Sequence, residues 1–156
     1  MKKCLLVIIM VLLSLEMMAQ SLVGSWEERK NKKVVSSLVF DTKGTMACYF
    51  YNEKPDENGV MRSMTFCMPG TYTRAGQMVH IKFLRHKITM SLDDKTMQGM
   101  DEEQRALALY TVEQYRLAYA KSLPETSTSK IKSITAKDLT FELLGTERKY
   151  KKVASH

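Results

Sequence analysis

The sequence predicts a mainly β fold, an antiparallel barrel or sandwich of short strands with one inserted α-helix at about 101–123. Three observations support this prediction. Short segments of alternating apolar and polar residues recur along the chain, and turn-forming pairs such as Asn58-Gly59 and Ala75-Gly76 separate them. One long stretch is rich in helix-forming residues and has neither Gly nor Pro. A short apolar leader precedes all of these segments.

Residues 1–19 have the organisation of a secretory signal peptide. Lys2 and Lys3 precede an apolar run from Cys4 to Leu15, and Ala19 is a small residue at the expected cleavage site. The run is shorter than the roughly 20 apolar residues that cross a membrane, although an uncleaved anchor is the alternative. We therefore expect an exported protein, periplasmic or secreted, with a single domain at 20–156 and no transmembrane segment in its mature chain.

The charge of the chain is basic but dispersed. The formal net charge is +7, with its densest runs at 29–33 and 148–152. In an exported protein this pattern is typical of solvated strand faces, so no nucleic acid partner is expected. The alternative is binding to an anionic surface or nucleic acid through Lys149, Lys151 and Lys152, with an affinity that falls steeply with salt.

The predicted strands share the two-residue alternation of half-buried strands. In the segment that ends at Phe83, for example, Val79 and Ile81 share its face while His80 and Lys82 take the other. Pro69-Gly70 is predicted as a turn and 125–130 as a polar loop. The predicted strands are 21–29, 34–40, 45–53, 60–68, 71–74, 77–83, 87–92, 130–135, 139–144 and 147–153.

The helix at 101–123 is predicted from its composition and its first turn. Asp101, Glu102 and Glu103 place negative charge where the helix dipole favours it. We expect this helix to cover a barrel end or an open sheet edge. A lid over a ligand entrance is the alternative.

One hairpin can be paired explicitly, with its turn at 56–59. This register stacks aromatic and Met side chains on one face and brings Cys48 opposite Cys67. The two cysteines are expected to be neighbours, either as a disulfide or as two free thiols, because a directly cross-strand bond needs strained geometry. The facing pairs would be Glu53–Arg62, Tyr51–Met64, Tyr49–Phe66 and Cys48–Cys67.

The same register predicts a wide apolar surface. Met side chains adapt to varied partners, so this face could hold a small ligand, and ordinary core packing is the alternative. The candidate ligand-binding residues are Tyr49, Tyr51, Met64, Phe66 and Met90.

The motif Gly24-Ser25-Trp26 near the start of the expected mature chain resembles the first-strand motif of the lipocalins and the wider calycin group. The strands "LVFDTKGTMACYFY" and "GTYTRAGQMVHIKF" add to a likeness to small exported bacterial lipocalin-like domains of unknown function, over about 21–92 and 130–153. The resemblance implies an antiparallel up-and-down lipocalin-like β-barrel of about 8–10 strands. It also implies that Trp26 closes one barrel end and that Arg148 packs across it. The lipocalin Thr-Asp-Tyr motif is absent, and the predicted helix lies between strands rather than after them.

These features predict an exported lipocalin-like binding protein for a small apolar or amphipathic ligand. The alternative is an envelope or secreted interaction or inhibitor module with a solid core, which would meet its protein partner through loop 54–60 and the helix. We expect no enzymatic activity, no cofactor and no metal site, because the sequence has no nucleophile motif, phosphate-binding loop or metal-ligand spacing. His80 and His86 are interpreted as surface histidines.

Overall fold

The structure is a computed structural model of the chain, and it describes residues 21–55 and 61–153. The predicted signal peptide at 1–19 and the predicted hairpin turn at 56–59 lie outside the described residues. Within the described part, none of the helices is both long and apolar enough to cross a membrane.

The described residues form nine strands and two α-helices, with a 3-10 turn at Arg85–Lys87 between β5 and β6. The strands are β1 (Gly24–Lys30), β2 (Lys33–Phe40), β3 (Thr45–Pro55), β4 (Met61–Ala75), β5 (Met78–Phe83), β6 (Thr89–Leu92), β7 (Thr126–Ile134), β8 (Asp138–Leu143) and β9 (Thr146–Lys152). The helices are α1 (Asp94–Gln98) and α2 (Glu102–Ser122).

Eight of the strands close into one antiparallel barrel. Strands β1 to β5 pair in chain order, β5 pairs with β7, and β7 to β9 continue the series until β9 pairs with β1. The closing pairs join Trp26 to Lys152 and Glu27 to Lys151. This closure distinguishes a barrel from a sandwich, and it confirms the predicted up-and-down, lipocalin-like architecture with an inserted helix.

Strand β6 is an addition to the barrel wall. It follows β5 along the same edge of β4, pairing Phe66 with Met90 and Thr65 with Ser91. No strand pairs with its other edge among the described residues. Helix α2 lies against β6 and the 3-10 turn, and Arg116 donates to the Ile88 carbonyl oxygen at 3.4 Å. The helix therefore packs beside the added strand.

The barrel interior is built from alternate residues of each strand. In β5, Val79, Ile81 and Phe83 are buried and the residues between them are exposed, as the alternation predicts. The other fully buried large side chains include Trp26, Leu38, Phe40, Met68, Ile131, Leu139, Phe141 and Tyr150.

Both helices begin at an acidic cap. The Asp101 carboxylate accepts from the Gln104 amide at 2.8 Å, and the Gln104 side chain accepts in return from the Asp101 amide. Asp93 caps α1 through the Thr96 amide at 2.6 Å. The boundaries of α2 agree with the predicted helix, whereas the short α1 was not predicted.

The predicted break at Pro69-Gly70 is wrong, because β4 runs through both residues. Pro69 lacks an amide proton, but its carbonyl oxygen accepts from Leu84 at 2.9 Å and so keeps its place in the sheet. A side chain at Gly70 would lie 2.9 Å from the Lys82 carbonyl oxygen. Glycine here therefore permits close approach of β5 and does not mark a turn.

The predicted loop at 125–130 is also wrong for most of its length, since β7 begins at Thr126. Thr126 pairs with Lys82, and Ser129 pairs with Val79. Pairing with β5 gives this polar segment its strand conformation, which the β-branched threonines also favour.

Candidate functional site

The β3–β4 hairpin differs by one residue from the predicted register. Tyr49 lies opposite Cys67, and Phe50 lies opposite Phe66. The last pair joins Pro55 to Met61, whereas the predicted register, with its turn at 56–59, would pair Pro55 with residue 60. A one-residue slip moves the side chains of one strand to the other face of the sheet. The even-numbered residues of β3 therefore face the barrel interior.

The slip places Tyr49 and Tyr51 outside the barrel. The Tyr51 hydroxyl lies 3.3 Å from the Ser37 Oγ on the outer face of β2. Tyr49 lies beside the Cys67 thiol. Neither tyrosine lines the cavity described next, so the structure does not bring them together with the other candidate ligand-binding residues.

A cavity of about 540 Å³ opens at the end of the barrel near the β3–β4 hairpin. Three of the five predicted residues, Met64, Phe66 and Met90, line it. The alternation in β8 placed Leu143 on the inner face, but no sequence signal indicated that this face ends at a cavity. The remaining lining residues are Phe50, Asn52, Tyr119, Leu143, Leu144, Thr146 and Arg148.

Aromatic rings form one wall of this cavity. The rings of Phe50 and Phe66 are stacked with centroids 6.4 Å apart. Tyr119 of α2 meets the Phe66 ring edge to face at 4.4 Å. These arrangements are favourable for aromatic pairs. Helix α2 therefore contributes a side chain to the cavity wall as well as packing against β6.

The charged residue of the cavity wall is Arg148. Its guanidinium lies 5.4 Å from the centroid of the Phe50 ring and donates to the Glu28 carboxylate at 2.7 Å. Ser36 donates to the same carboxylate oxygen at 2.8 Å. The other N–H groups of Arg148 make no hydrogen bond to the described residues, so they are available to a ligand atom.

The Glu28 carboxylate stays ionised beside this guanidinium. Burial alone would raise the pKa of Glu28, but the hydrogen bonds from Arg148 and Ser36 outweigh it and hold the pKa below its ordinary value. Two residues along β9, burial raises the pKa of Tyr150 to about 12. The Tyr150 hydroxyl is near Ser36 but outside hydrogen-bond geometry. The Glu28–Arg148 pair therefore places opposite charges beside the mostly apolar cavity wall.

The opposite end of the barrel is closed around Trp26. Its side chain is fully buried, and its Nε1 donates to the Leu22 carbonyl oxygen at 2.8 Å. The predicted contact with Arg148 is wrong, because Lys152 takes that place with its Nζ 5.0 Å from the indole centroid. Lys152 faces Trp26 directly where β9 pairs with β1. Arg148 lies two residues before Tyr150 in β9, near the cavity.

Gly24 has a specific role in this closure. Its φ is +130°, in the region that favours glycine, and a Cβ there would lie 2.9 Å from the Lys152 Cε. The lysine side chain thus passes over Gly24 to reach Trp26. This geometry explains why a glycine stands two residues before the tryptophan.

The two cysteines are free thiols in the structure, so the disulfide alternative is not formed. They are offset by one residue, with Cys48 opposite Met68. Cys48 points into the core, where burial raises the pKa of its thiol far above the ordinary value. Cys67 is half-buried on the outer face.

Thiol titration is expected to show this difference in accessibility. The native protein should expose one slowly reacting thiol, Cys67, and the unfolded, unreduced protein should expose both Cys67 and Cys48. Reaction depends on the thiolate and on access, both of which burial denies to Cys48. A Cys67→Ser variant that still reacts at the parent rate in its native state would contradict this assignment.

His80 and His86 lie away from the cavity. His80 is exposed on β5, where its Nδ1 lies 3.1 Å from the Thr128 Oγ1. Over residues 21–55 and 61–153, no three His, Cys, Asp or Glu side chains come together as metal ligands could.

Comparison with known proteins gives two structural likenesses. The sequence matches no family model and no curated protein. An uncharacterized protein from Bacteroides eggerthii is 17% identical, with a TM-score of 0.44, over 85% of this chain and 100% of the other. A lipocalin-like protein from Bacteroides uniformis is 16% identical, with a TM-score of 0.43, over 85% of this chain and 98% of the other.

Proposed function

We propose that this protein is an exported carrier or receptor that binds one small amphipathic molecule in the cavity at the open barrel end. The role is binding, without a chemical step. The observation that carries the proposal is an apolar cavity with one partly paired guanidinium in its wall. Its volume of about 540 Å³ is within the range of roughly 300–1,000 Å³ that small-molecule sites occupy.

The lining divides the ligand into two parts. The apolar body would lie against Phe50, Phe66 and Met90, where flat rings and a flexible thioether adapt to its shape. The polar end would lie at Arg148, whose free N–H groups suit a carboxylate, sulfonate or phosphate. Asn52 and Thr146 add neutral hydrogen-bonding groups to the lining.

The charge balance favours an anionic ligand of modest affinity over a neutral one. Glu28 already neutralises part of the Arg148 charge from one side. An incoming anion therefore shares the guanidinium with Glu28, and does not have to displace it, because a guanidinium offers donors in several directions.

Filling the cavity is expected to weaken ligand binding. We would use anilinonaphthalene sulfonate, an aromatic anion whose fluorescence rises in apolar surroundings, as the probe. Met90→Trp places an indole in the cavity and should weaken probe binding at least about tenfold. Met78→Trp is the matched control, because Met78 lies exposed on the outer face of β5.

Equal probe affinity in both variants would contradict the proposed site. Mass spectrometry of an organic extract of the purified protein then identifies the natural ligand class. A co-purified neutral hydrocarbon would contradict the anionic preference, and a co-purified amphipathic acid would support it.

A further inference from the structure

The outward side of α2 carries an apolar surface that no described residue covers. Leu107, Tyr110 and Leu117 are 65%, 63% and 47% exposed. The side of the helix that meets the barrel has smaller or mixed residues instead, including Ala108 and Val112, which are half-buried. Most of the larger apolar side chains of α2 therefore point away from the barrel core.

These exposed residues lie in a regular seam. Counted along α2, the seam residues are separated by four and three residues in alternation, which is the spacing that aligns one helix with another. The seam consists of Glu103, Leu107, Tyr110, Gln114, Leu117 and Lys121.

We propose that two copies of the chain form a symmetric dimer by packing these seams together in antiparallel orientation. A two-fold axis through the middle of the helix brings Leu107 against Leu117 of the partner subunit. It also places Tyr110 against Gln114 of the partner subunit. Such an interface uses the same patch on both chains and closes at two subunits.

Charge fixes the antiparallel direction. The seam begins at the acidic Glu103 and ends at the basic Lys121. In the antiparallel dimer each Glu103 meets Lys121 of the partner subunit, whereas a parallel dimer would oppose glutamate to glutamate and lysine to lysine. Neither residue has an ion-pair partner within the described part of its own chain.

The residues beside the seam allow close packing. Ala106 and Ala118 flank it with small side chains. The hydroxyl of Thr111 donates to the Leu107 carbonyl oxygen at 2.8 Å, so it brings no unmet hydrogen bond to the interface. Glu113 at the margin of the seam is already paired with Arg116 at 2.6 Å. This pairing reduces its repulsion from Glu113 of the partner subunit.

Sedimentation equilibrium of the full mature chain tests the dimer. The parent should show a monomer–dimer equilibrium, and Tyr110→Glu should shift it to monomer. Tyr115→Glu is the matched control, because Tyr115 is 64% exposed on α2 but lies off the seam. A parent that is monomeric at every concentration, or a dimer that both variants weaken equally, would overturn the proposal.

Charge exchange tests the pairing. Glu103→Lys and Lys121→Glu should each raise the dimer dissociation constant about tenfold, since two attractive ion pairs become repulsive. The double variant should restore the parent value, and a mixture of the two single variants should form a mixed dimer. A double variant that stays as weak as the single variants would overturn the antiparallel arrangement. Unchanged circular dichroism would show that these exposed substitutions leave the fold intact.

Discussion

Replacing Trp26 with alanine is expected to lower the free energy of unfolding by about 3–5 kcal/mol, the usual cost of truncating a large buried aromatic side chain. The indole is fully buried and its Nε1 hydrogen-bonds to the Leu22 carbonyl oxygen. The alanine variant leaves a cavity at the closed end of the barrel, removes the surface on which Lys152 lies and leaves the Leu22 carbonyl unpaired.

Urea unfolding followed by far-ultraviolet circular dichroism measures this loss, because Trp26 is the only tryptophan and its fluorescence is removed with it. Trp26→Phe should cost less, since it keeps an aromatic ring in the same space. Tyr115→Ala is a second control, because this ring is exposed and its removal should change the free energy of unfolding by less than about 0.5 kcal/mol. A Trp26→Ala variant as stable as the parent would show that the barrel end is not closed by this side chain.

Replacing Arg148 with methionine is expected to lower the free energy of unfolding by about 1–3 kcal/mol and to weaken binding of the sulfonate probe. Methionine keeps much of the packing against Phe50 but removes the charge. Glu28 then loses a 2.7 Å hydrogen bond from a cation while remaining largely buried. The probe loses the cation that holds its anionic end.

A double-mutant cycle separates the two effects of this substitution. In a Glu28→Gln background the stability cost of Arg148→Met should shrink, because no charge is left unpaired, whereas the loss of probe binding should remain. A stability cost that is unchanged in the Glu28→Gln background would contradict the role of the pair.

Acid should have a related effect on stability. The pKa of Glu28 is lowered in the folded state. The ionised carboxylate therefore contributes to folding stability above its ordinary pKa of about 4.5, and this contribution is lost as the pH falls through the lowered pKa. The difference in the free energy of unfolding between the parent protein and the Arg148→Met variant should therefore become smaller as the pH falls.

The parts of the fold that local sequence encodes were predicted well. The acidic first turn and the absence of Gly and Pro located α2, and the alternation of Val79, Ile81 and Phe83 identified the inner face of β5. Met64, Phe66 and Met90 line one cavity, but their role in ligand binding stays a prediction. The helix α2 and the inner face of β5 were located by signals within a single element, whereas Met90 lies on a different strand from Met64 and Phe66.

The parts that depend on partners in space were not predicted. The observed hairpin register pairs Pro55 with Met61 and differs by one residue from the predicted one, so Tyr49 and Tyr51 lie outside the barrel. The lysine over Trp26 belongs to the residue that faces it in the closing ladder, and that ladder joins opposite ends of the chain. The choice between Arg148 and Lys152 therefore depended on the stagger of the closed barrel, which no local pattern records.

The pairing of β1 with β9 also constrains the order of folding. Most neighbouring strands of the barrel are consecutive in the chain and can form as local hairpins. The pair of Trp26 and Lys152 joins residues that are far apart in the sequence, so it can form only after β9 is available. Contacts between such distant residues slow folding because a long loop must close before they form. During synthesis the first strand therefore keeps an unpaired edge and an exposed indole until the last strand is made. Until then the chain is open to chaperones and to aggregation.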